Sequence, residues 1–479
     1  MSAREVAWRA VGLRVVGRSM LRISTWCRVL AACALVACDA ERDAPDPVAP
    51  GWDREVAPLL AARCGGCHRP GGIGPHAFDR YEDAAPRADA LAFMTRTRQM
   101  PPWTADQSGA CNTFADTAWL SDEELDTLAR WAAAGAPRGA RATAVTSTST
   151  APTHVPAPRA LRVDRTLIMP EPYRPQDAPE GDDHRCFPLA TPGDGTFVTA
   201  FAMRPGVGAM VHHAVLFKVA AAARAQIDAH DARDAGPGYD CYGGGAVVPG
   251  ATPVAAWTPG QPATFLPEGT GVRLGVGDRL ILQVHYNTLH VPAPWPFDQS
   301  AVDLQLATSV PHEAIFLALS DDTLTLAPGQ AQATSEVTRR PFDLGATEPI
   351  TLFGVYPHMH LRGRAARVWL TETASDRSAD VDPAVDASSQ ACLVDLPRWD
   401  FAWQRFWFFT APIVMAPTDT LHLRCTFDTR DETAPLRAGF STADEMCIAG
   451  FYAVRGAVPG AARPPGFLPL SPPATEASR

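Results

Sequence analysis

Along this chain of 479 residues, apolar positions recur first at helical and then at strand spacing, with one polar stretch between. In residues 52–62, Val56, Leu59 and Leu60 fall on one stripe. Ser121-Asp122-Glu123-Glu124 is a capping box, and Leu125, Leu128, Trp131 and Ala132 follow it at helical spacing. Gly135 and Pro137 predict the end of that helix. Past residue 162 the signal changes. Residues 210–217 are strand-like through their β-branched and aromatic content. In residues 280–286, Ile281, Gln283 and His285 share one strand face, and Leu282, Val284 and Tyr286 share the opposite, apolar one. Between the two regimes, residues 140–158 are rich in Thr, Ser, Ala and Pro and have no apolar period, the composition of a linker.

The length accommodates three domains of ordinary size. A net charge of −10 argues against a nucleic-acid partner. The sequence has no phosphate-binding glycine loop, no nucleophile elbow and no repeat of solenoid period.

The chemistry is concentrated in five histidines and a methionine: His212-His213, His285, His358-x-His360, and Met446 in Asp444-Glu445-Met446-Cys447. Imidazoles with one thioether form a soft, neutral set suited to copper cycling between Cu(I) and Cu(II). Zinc sites seldom use Met, and magnesium or calcium would want oxygen. His358 and His360 are two apart, so on a strand both point from one face. His212 and His213 are adjacent and point to opposite faces of a regular strand. They can share an ion only at a strand end, a bulge or a sharp twist.

These motifs, taken with Leu282-Gln283-Val284-His285-Tyr286 and Thr442-x-Asp444-Glu445-Met446-Cys447, resemble the copper type II, ascorbate-dependent monooxygenases over roughly residues 163–455. The resemblance implies two antiparallel, jelly-roll-like β-sandwich domains, each contributing one copper. It implies an electron-donating copper on His212, His213 and His285. A second, oxygen-binding catalytic copper would sit on His358, His360 and Met446. It also implies disulfides Cys186–Cys241 and Cys425–Cys447. The peptide-hydroxylating branch clamps its substrate carboxylate with an Arg before the His-x-His pair and with Asn and Tyr after the Met-Cys. Here those places hold Tyr356, Ile448 and Gly450, which cannot replace a bidentate clamp. A less polar substrate is expected.

A second chemistry lies upstream. Cys64-Gly65-Gly66-Cys67-His68 is the signature of covalent haem c attachment. A zinc knuckle or a redox disulfide fits less well, because no second cysteine pair follows at zinc-finger spacing and no βαβ pattern surrounds it. Met100, followed by Pro101-Pro102, is the candidate axial thioether. Residues 51–138 are therefore expected to form a small all-α, class I-like cytochrome c domain.

Arginines at 4, 9, 14, 18, 22 and 28 precede a short apolar run that ends in Leu35-Val36-Ala37-Cys38, which resembles a lipobox. The expectation is a lipoprotein signal peptide over 1–37, lipidation at Cys38, and a periplasm-facing protein anchored in the bacterial cell envelope. Of 11 cysteines, two leave with the signal, one takes lipid and two take haem. The even remainder indicates disulfides. Within it, Cys111 and Cys392 are left over and are candidates to staple the haem domain to the second copper domain.

The expected organisation is signal 1–37, tether 38–50, cytochrome 51–138, linker 139–162, copper domains 163–309 and 310–460, and a disordered tail 461–479. The expected function is hydroxylation of a C–H bond of a small molecule with O2, using two copper ions. Electrons would come through the haem, from an ascorbate-like reductant or a redox protein. The alternative is a non-enzymatic haem and copper electron-transfer or copper-binding lipoprotein.

Overall fold

The computed structural model describes residues 49–467 except 73, 116–117, 140–159, 177–181, 190–194, 242–249, 289–290, 345, 373–389, 402, 440–442 and 466. Cys38, the leader and the 140–158 stretch lie outside the described residues. Among the described residues, no helix is long and apolar enough to cross a membrane.

The first part is helical. A π-helical turn, Trp52–Val56, runs into the helix Ala57–Arg63, followed by Tyr81–Ala84, Ala88–Arg96 and Asp122–Ala133. Trp52, Val56 and Leu60 recur every four residues and are buried against Leu91, Leu128 and Trp131. Leu59, on the same expected stripe, is only half-buried. The capping box forms in full: the Glu124 amide donates to the Ser121 hydroxyl, and the Glu124 carboxylate accepts from the Ser121 amide. Ser121→Ala would cost about 1 kcal/mol. Gly135 ends the helix at φ +78°, a left-handed conformation that glycine adopts without strain.

The rest is almost entirely β. A five-stranded sheet holds Val211–Val219 and Asp182–Leu189 on either side of Arg279–Asn287. Its inner face, with Leu282, Val284 and Tyr286, packs on Val198, Phe201 and Leu304 of a second sheet. The outer face of the same central strand carries Ile281, which joins Ile227 and the Cys186–Cys241 disulfide in a small second core. The two-faced reading of residues 280–286 thus corresponds to two different cores. A four-stranded sheet with Gly363–Thr371 and Thr420–Phe427 builds the other sandwich, its core formed with Val355, Trp407 and Phe451. One sheet of nine strands serves both sandwiches. Its two halves meet where Thr270–Arg273 pairs in parallel with His312–Ser320.

One segment leaves the helical part. Trp103, Ala105 and Phe114 are buried in the core of the second sandwich, with Trp103 edge-on to Trp407 at 4.6 Å. Phe114 bridges Phe409, and the Ala115 amide donates to the Phe408 carbonyl. The strand Trp407–Met415 lies at the end of the nine-stranded order, so this segment covers an exposed edge. Cys111 bonds Cys392 across 281 residues of sequence. The staple between helical segment and second sandwich is formed.

Closing so long a loop removes much chain entropy from the unfolded state. Cys392→Ser is expected to destabilise the protein by about 2–4 kcal/mol, read as a lower unfolding midpoint in denaturant. An unchanged midpoint would show that the Trp103–Phe114 packing holds the segment without the bond.

Candidate metal centres

The first centre is built on the central strand of the five-stranded sheet. Val211 pairs with Tyr286 but His213 pairs with His285, so the register slips by one residue at His212. That bulge lets two adjacent histidines approach one point. His212 Nδ1 lies 2.9 Å from His285 Nδ1, which lies 3.2 Å from His213 Nδ1. Three nitrogens bound to one ion at about 2.0 Å, with angles near 90–110°, would be separated by roughly 2.8–3.3 Å. The His212–His285 and His213–His285 separations therefore fit a metal bound through Nδ1. A second triad overlaps the first: ligating atoms of His184, His213 and His285 lie within 4.8 Å of one another.

His285 is 1% exposed. Burial first, and neighbouring imidazoles second, hold His213 and His285 well below the usual histidine range. Both are neutral at pH 7, the form that coordinates a metal.

The second centre lies at the end of a strand. Ile350–His358 stops at the first ligand candidate, and His360 follows it with the fully buried Met359 between. The two rings are 5.2 Å apart at 86°. His358 Nδ1 is 2.5 Å from Gln404 Oε1, and His360 Nδ1 is 3.1 Å from the Asp444 carbonyl. Both partners are acceptors, so each Nδ1 carries the proton and each Nε2 keeps its lone pair. This centre presents Nε2, whereas the first presents Nδ1. Burial, then the His360 charge, pushes His358 down to about 4.

Met446 is half-buried just before the strand Ile448–Arg455, whose Ile448 pairs with His358. The buried Glu445 carboxylate accepts from the amides of His360, Arg362 and Met446, tying the methionine loop to the histidine pair. Burial raises Glu445 to about 7. Cys447 is bonded to Cys425, which fixes the other flank of Met446. Tyr356 pairs with Gly450, two of the residues where the peptide-specific clamp would be. Between the centres stands Phe401, with ring centroids 6.5 Å from His285 and 6.2 Å from His360.

In the helical part, Cys64 and Cys67 are free thiols, whereas the other six cysteines of the described residues are bonded. Burial pushes the Cys64 thiol up to about 12 and raises Cys67. His68 Nδ1 is 2.8 Å from the His76 carbonyl, an acceptor, so Nε2 is again left for a metal. Phe78 stacks on its ring at 4.5 Å. The two free thiols and the His68 Nε2 are the groups that a haem on this motif would use. Met100 is half-buried beyond the helix Ala88–Arg96. The Cys-Gly-Gly-Cys loop lies against the first sandwich, where a Cβ on Gly260 would meet Cys67 Sγ.

Comparison with known proteins gives a family for part of this architecture. Residues 321–453 match the C-terminal domain of the copper type II ascorbate-dependent monooxygenases. His358 and His360 fall inside the match, as does Met446. The first centre lies outside it. The chain is 27% identical over 275 residues to a peptidyl-glycine alpha-amidating monooxygenase of Mus musculus, covering 56% of this chain and 25% of that one. It is 26% identical over 217 residues to peptidyl-glycine alpha-amidating monooxygenase A of Xenopus laevis, covering 44% and 20%. It thus spans about a quarter of the length of these relatives. Among solved structures, the VP2 subviral particle of infectious bursal disease virus is similar only at 11% identity and TM-score 0.18, covering 61% of this chain and 70% of that one. That likeness is too slight to bear on the fold. The family match and the imidazole cluster together support copper as the metal.

Residues missed from sequence are His184, Gln404 and Phe401. Gln404 sits in a loop with no period, and its bond to His358 spans 46 residues. His184 could have been noticed only as a histidine two residues before Cys186.

Gln404→Leu is expected to weaken copper binding at His358/His360 by about 10–100-fold, since it frees the ring that the amide holds. Chelator competition would measure it, with the first centre unaffected. Without metal, the neutral histidines also couple stability to pH. The unfolded chain protonates them near their usual 6.5, whereas the fold resists until about 4 at His358. The unfolded state binds more protons in between. This stability is therefore complete above about pH 6.5 and is lost as pH falls toward 4. Thermal melts of metal-free protein should show a lower midpoint at pH 5 than at pH 8; a higher one would contradict the assignment.

Proposed function

We propose that this protein is a copper-dependent monooxygenase that hydroxylates a C–H bond of a small molecule with O2. The observation that carries the reading is the pair of unlike imidazole centres facing one Phe401 ring. One centre offers three Nδ1 atoms. The other offers two Nε2 atoms, with Met446 tied beside them. Copper bound at the two centres would supply the one-electron transfers and oxygen activation that hydroxylation requires. The chain's own residues do the rest. Gln404 and the Asp444 carbonyl aim the two Nε2 lone pairs, and Glu445 keeps the methionine loop in place. Tyr356, Phe401 and Phe406 surround the second centre with aromatic surface, which limits water at the reacting atoms. With Tyr356 and Gly450 at the clamp positions, the substrate is less polar than a peptide carboxylate.

Cys64, Cys67 and His68, with Met100, would hold a haem c, which would supply electrons. Cys67 adjoins Gly260, three residues past Trp257. Trp257 pairs with Ala214, the neighbour of His213. This packing supports delivery to the first centre, from an ascorbate-like reductant or a redox protein. The mature chain is a periplasm-facing lipoprotein held by lipid at Cys38, and the three disulfides among the described residues suit that oxidising compartment.

Metal analysis should find two copper ions per chain, and haem should survive denaturing electrophoresis. His285→Ala should lose one copper. Met446→His should keep copper yet lose most turnover, because a harder ligand disfavours Cu(I). Product is sought by metabolite profiling after incubation with copper, a reductant and isotopically labelled O2. Copper binding with no labelled product would leave an electron carrier instead. For the haem, anaerobic stopped flow should show reoxidation by Cu(II) at a rate independent of protein concentration. Haem that stays reduced would remove it from this route.

A further inference from the structure

His285, on the central strand Arg279–Asn287, stands between two histidines. It is in register with His213 on Val211–Val219 and, on its other side, with His184 on Asp182–Leu189. Residues directly opposite one another in antiparallel strands share a face and stand about 4.5–5.5 Å apart. The neighbours meet the His285 ring in different ways. His212 and His213 cross it steeply, with planes 81° and 69° from its own and centroids 4.6 and 4.7 Å away, and their Nδ1 atoms approach its Nδ1. His184 lies flat against it instead, with centroids 3.9 Å apart and planes 11° apart. An imidazole lone pair lies in the plane of its ring, so those of two parallel rings run side by side. The closeness of His184 to His213 and His285 is therefore packing, and its ring is a wall beside the metal ligands. That wall is anchored. His184 is 8% exposed, and its carbonyl accepts from the Cys241 amide at 3.2 Å. Cys241 is bonded in turn to Cys186, two residues along the same strand as His184.

We propose that His184 is a positioning residue of the first centre, whose ring face fixes the plane of the His285 imidazole. The proposal rests on the copper reading of His212, His213 and His285 given above. A ligand imidazole holds its metal in the ring plane at about 2.0 Å. Turning that plane by roughly 30° would carry the lone pair about 1 Å away from an ion held by the other two histidines. At the second centre, Gln404 and the Asp444 carbonyl orient the rings by hydrogen bonds. At the first, a stacked ring does so for His285. A plane held from outside the ligand set stays the same before and after an electron passes. The ligand geometry then serves Cu(I) and Cu(II) alike, which suits a centre that hands electrons on.

The test uses the full chain carrying His358→Ala and His360→Ala, so that copper fills only the first centre, with replacements at His184. His184→Phe keeps a flat ring without nitrogens. His184→Leu fills a similar volume without a flat face, and His184→Ala removes both. Each is read by Cu(II) electron paramagnetic resonance, by chelator competition and by the unfolding midpoint of the metal-free protein. His184→Phe should keep the parent's spectrum and copper affinity. His184→Leu and His184→Ala should broaden the spectrum and weaken binding about 10–100-fold. For His184→Leu that loss should come with little change in the metal-free midpoint, which separates it from a loss of folding. Parent affinity and spectrum in His184→Leu would show that filled space suffices, and would overturn the proposal. A His184→Phe variant as impaired as His184→Ala would overturn it too, by showing that the nitrogens matter and not the ring face. Either result leaves the copper reading standing. If copper does not bind in the parent background at all, the copper reading of the first centre fails, and this inference with it.

Discussion

A histidine buried in a β-sheet can serve as a ligand only if it stays neutral and if its ring cannot turn away. Both centres meet that constraint, by different means. At the first, the imidazoles crowd one another on adjacent strands. Burial and mutual repulsion keep His213 and His285 uncharged, and cross-strand register fixes the rings. At the second, His358 is the last paired residue of its strand and His360 lies past it, where register no longer holds the ring. There the hold comes from outside the strand, from Gln404 and the Asp444 carbonyl. The same difference decides which nitrogen faces the metal: Nδ1 where rings hold rings, Nε2 where Nδ1 is occupied by an acceptor.

The bulge at His212 shows how close sequence reasoning can come. Two adjacent histidines on a regular strand cannot share an ion, so a shared site demanded a bulge, a twist or a strand end. The register slip supplies the first of these. The capping box, the two faces of residues 280–286 and the disulfides at Cys186 and Cys425 were also legible. Each depends on local spacing or on a motif that the family resemblance covers. What stayed hidden is long-range. His184 meets His285 across 101 residues, and its neighbours Asp183 and Arg185 make the segment look like a solvated loop. Trp103 and Phe114, separated by small and polar residues with no apolar period, gave no sign of entering the core of the second sandwich. The pairing of Cys111 with Cys392 needed that docking to be more than arithmetic.

The nine-stranded sheet carries a mechanical consequence. Two sandwiches joined only by a linker would be free to rotate. These share a sheet through Thr270–Arg273 and His312–Ser320, and the Thr270 hydroxyl lies 3.0 Å from the Tyr452 hydroxyl across the same junction. The junction itself is short, a parallel pairing of two residues on each strand. Packing widens it: Tyr452 and Val454, from the second half of the sheet, are buried in the core of the first sandwich, and Phe316 and Phe408 pack against that core. That favours a fixed distance between the two centres over an open hinge.

A fixed distance changes what Phe401 can be. In a mobile cleft it would be one side chain among many passing between the centres. In a braced one it is held against His285 of one sandwich and His360 of the other, on a loop that also supplies Gln404 and, through Trp399, a hydrogen bond to the His360 carbonyl. One loop therefore aims a ligand at the second centre and fills the space toward the first. Any change that displaced it would disturb metal geometry and water exclusion together. The coupling of those two effects in a single loop is the tightest constraint that the fold places on the site.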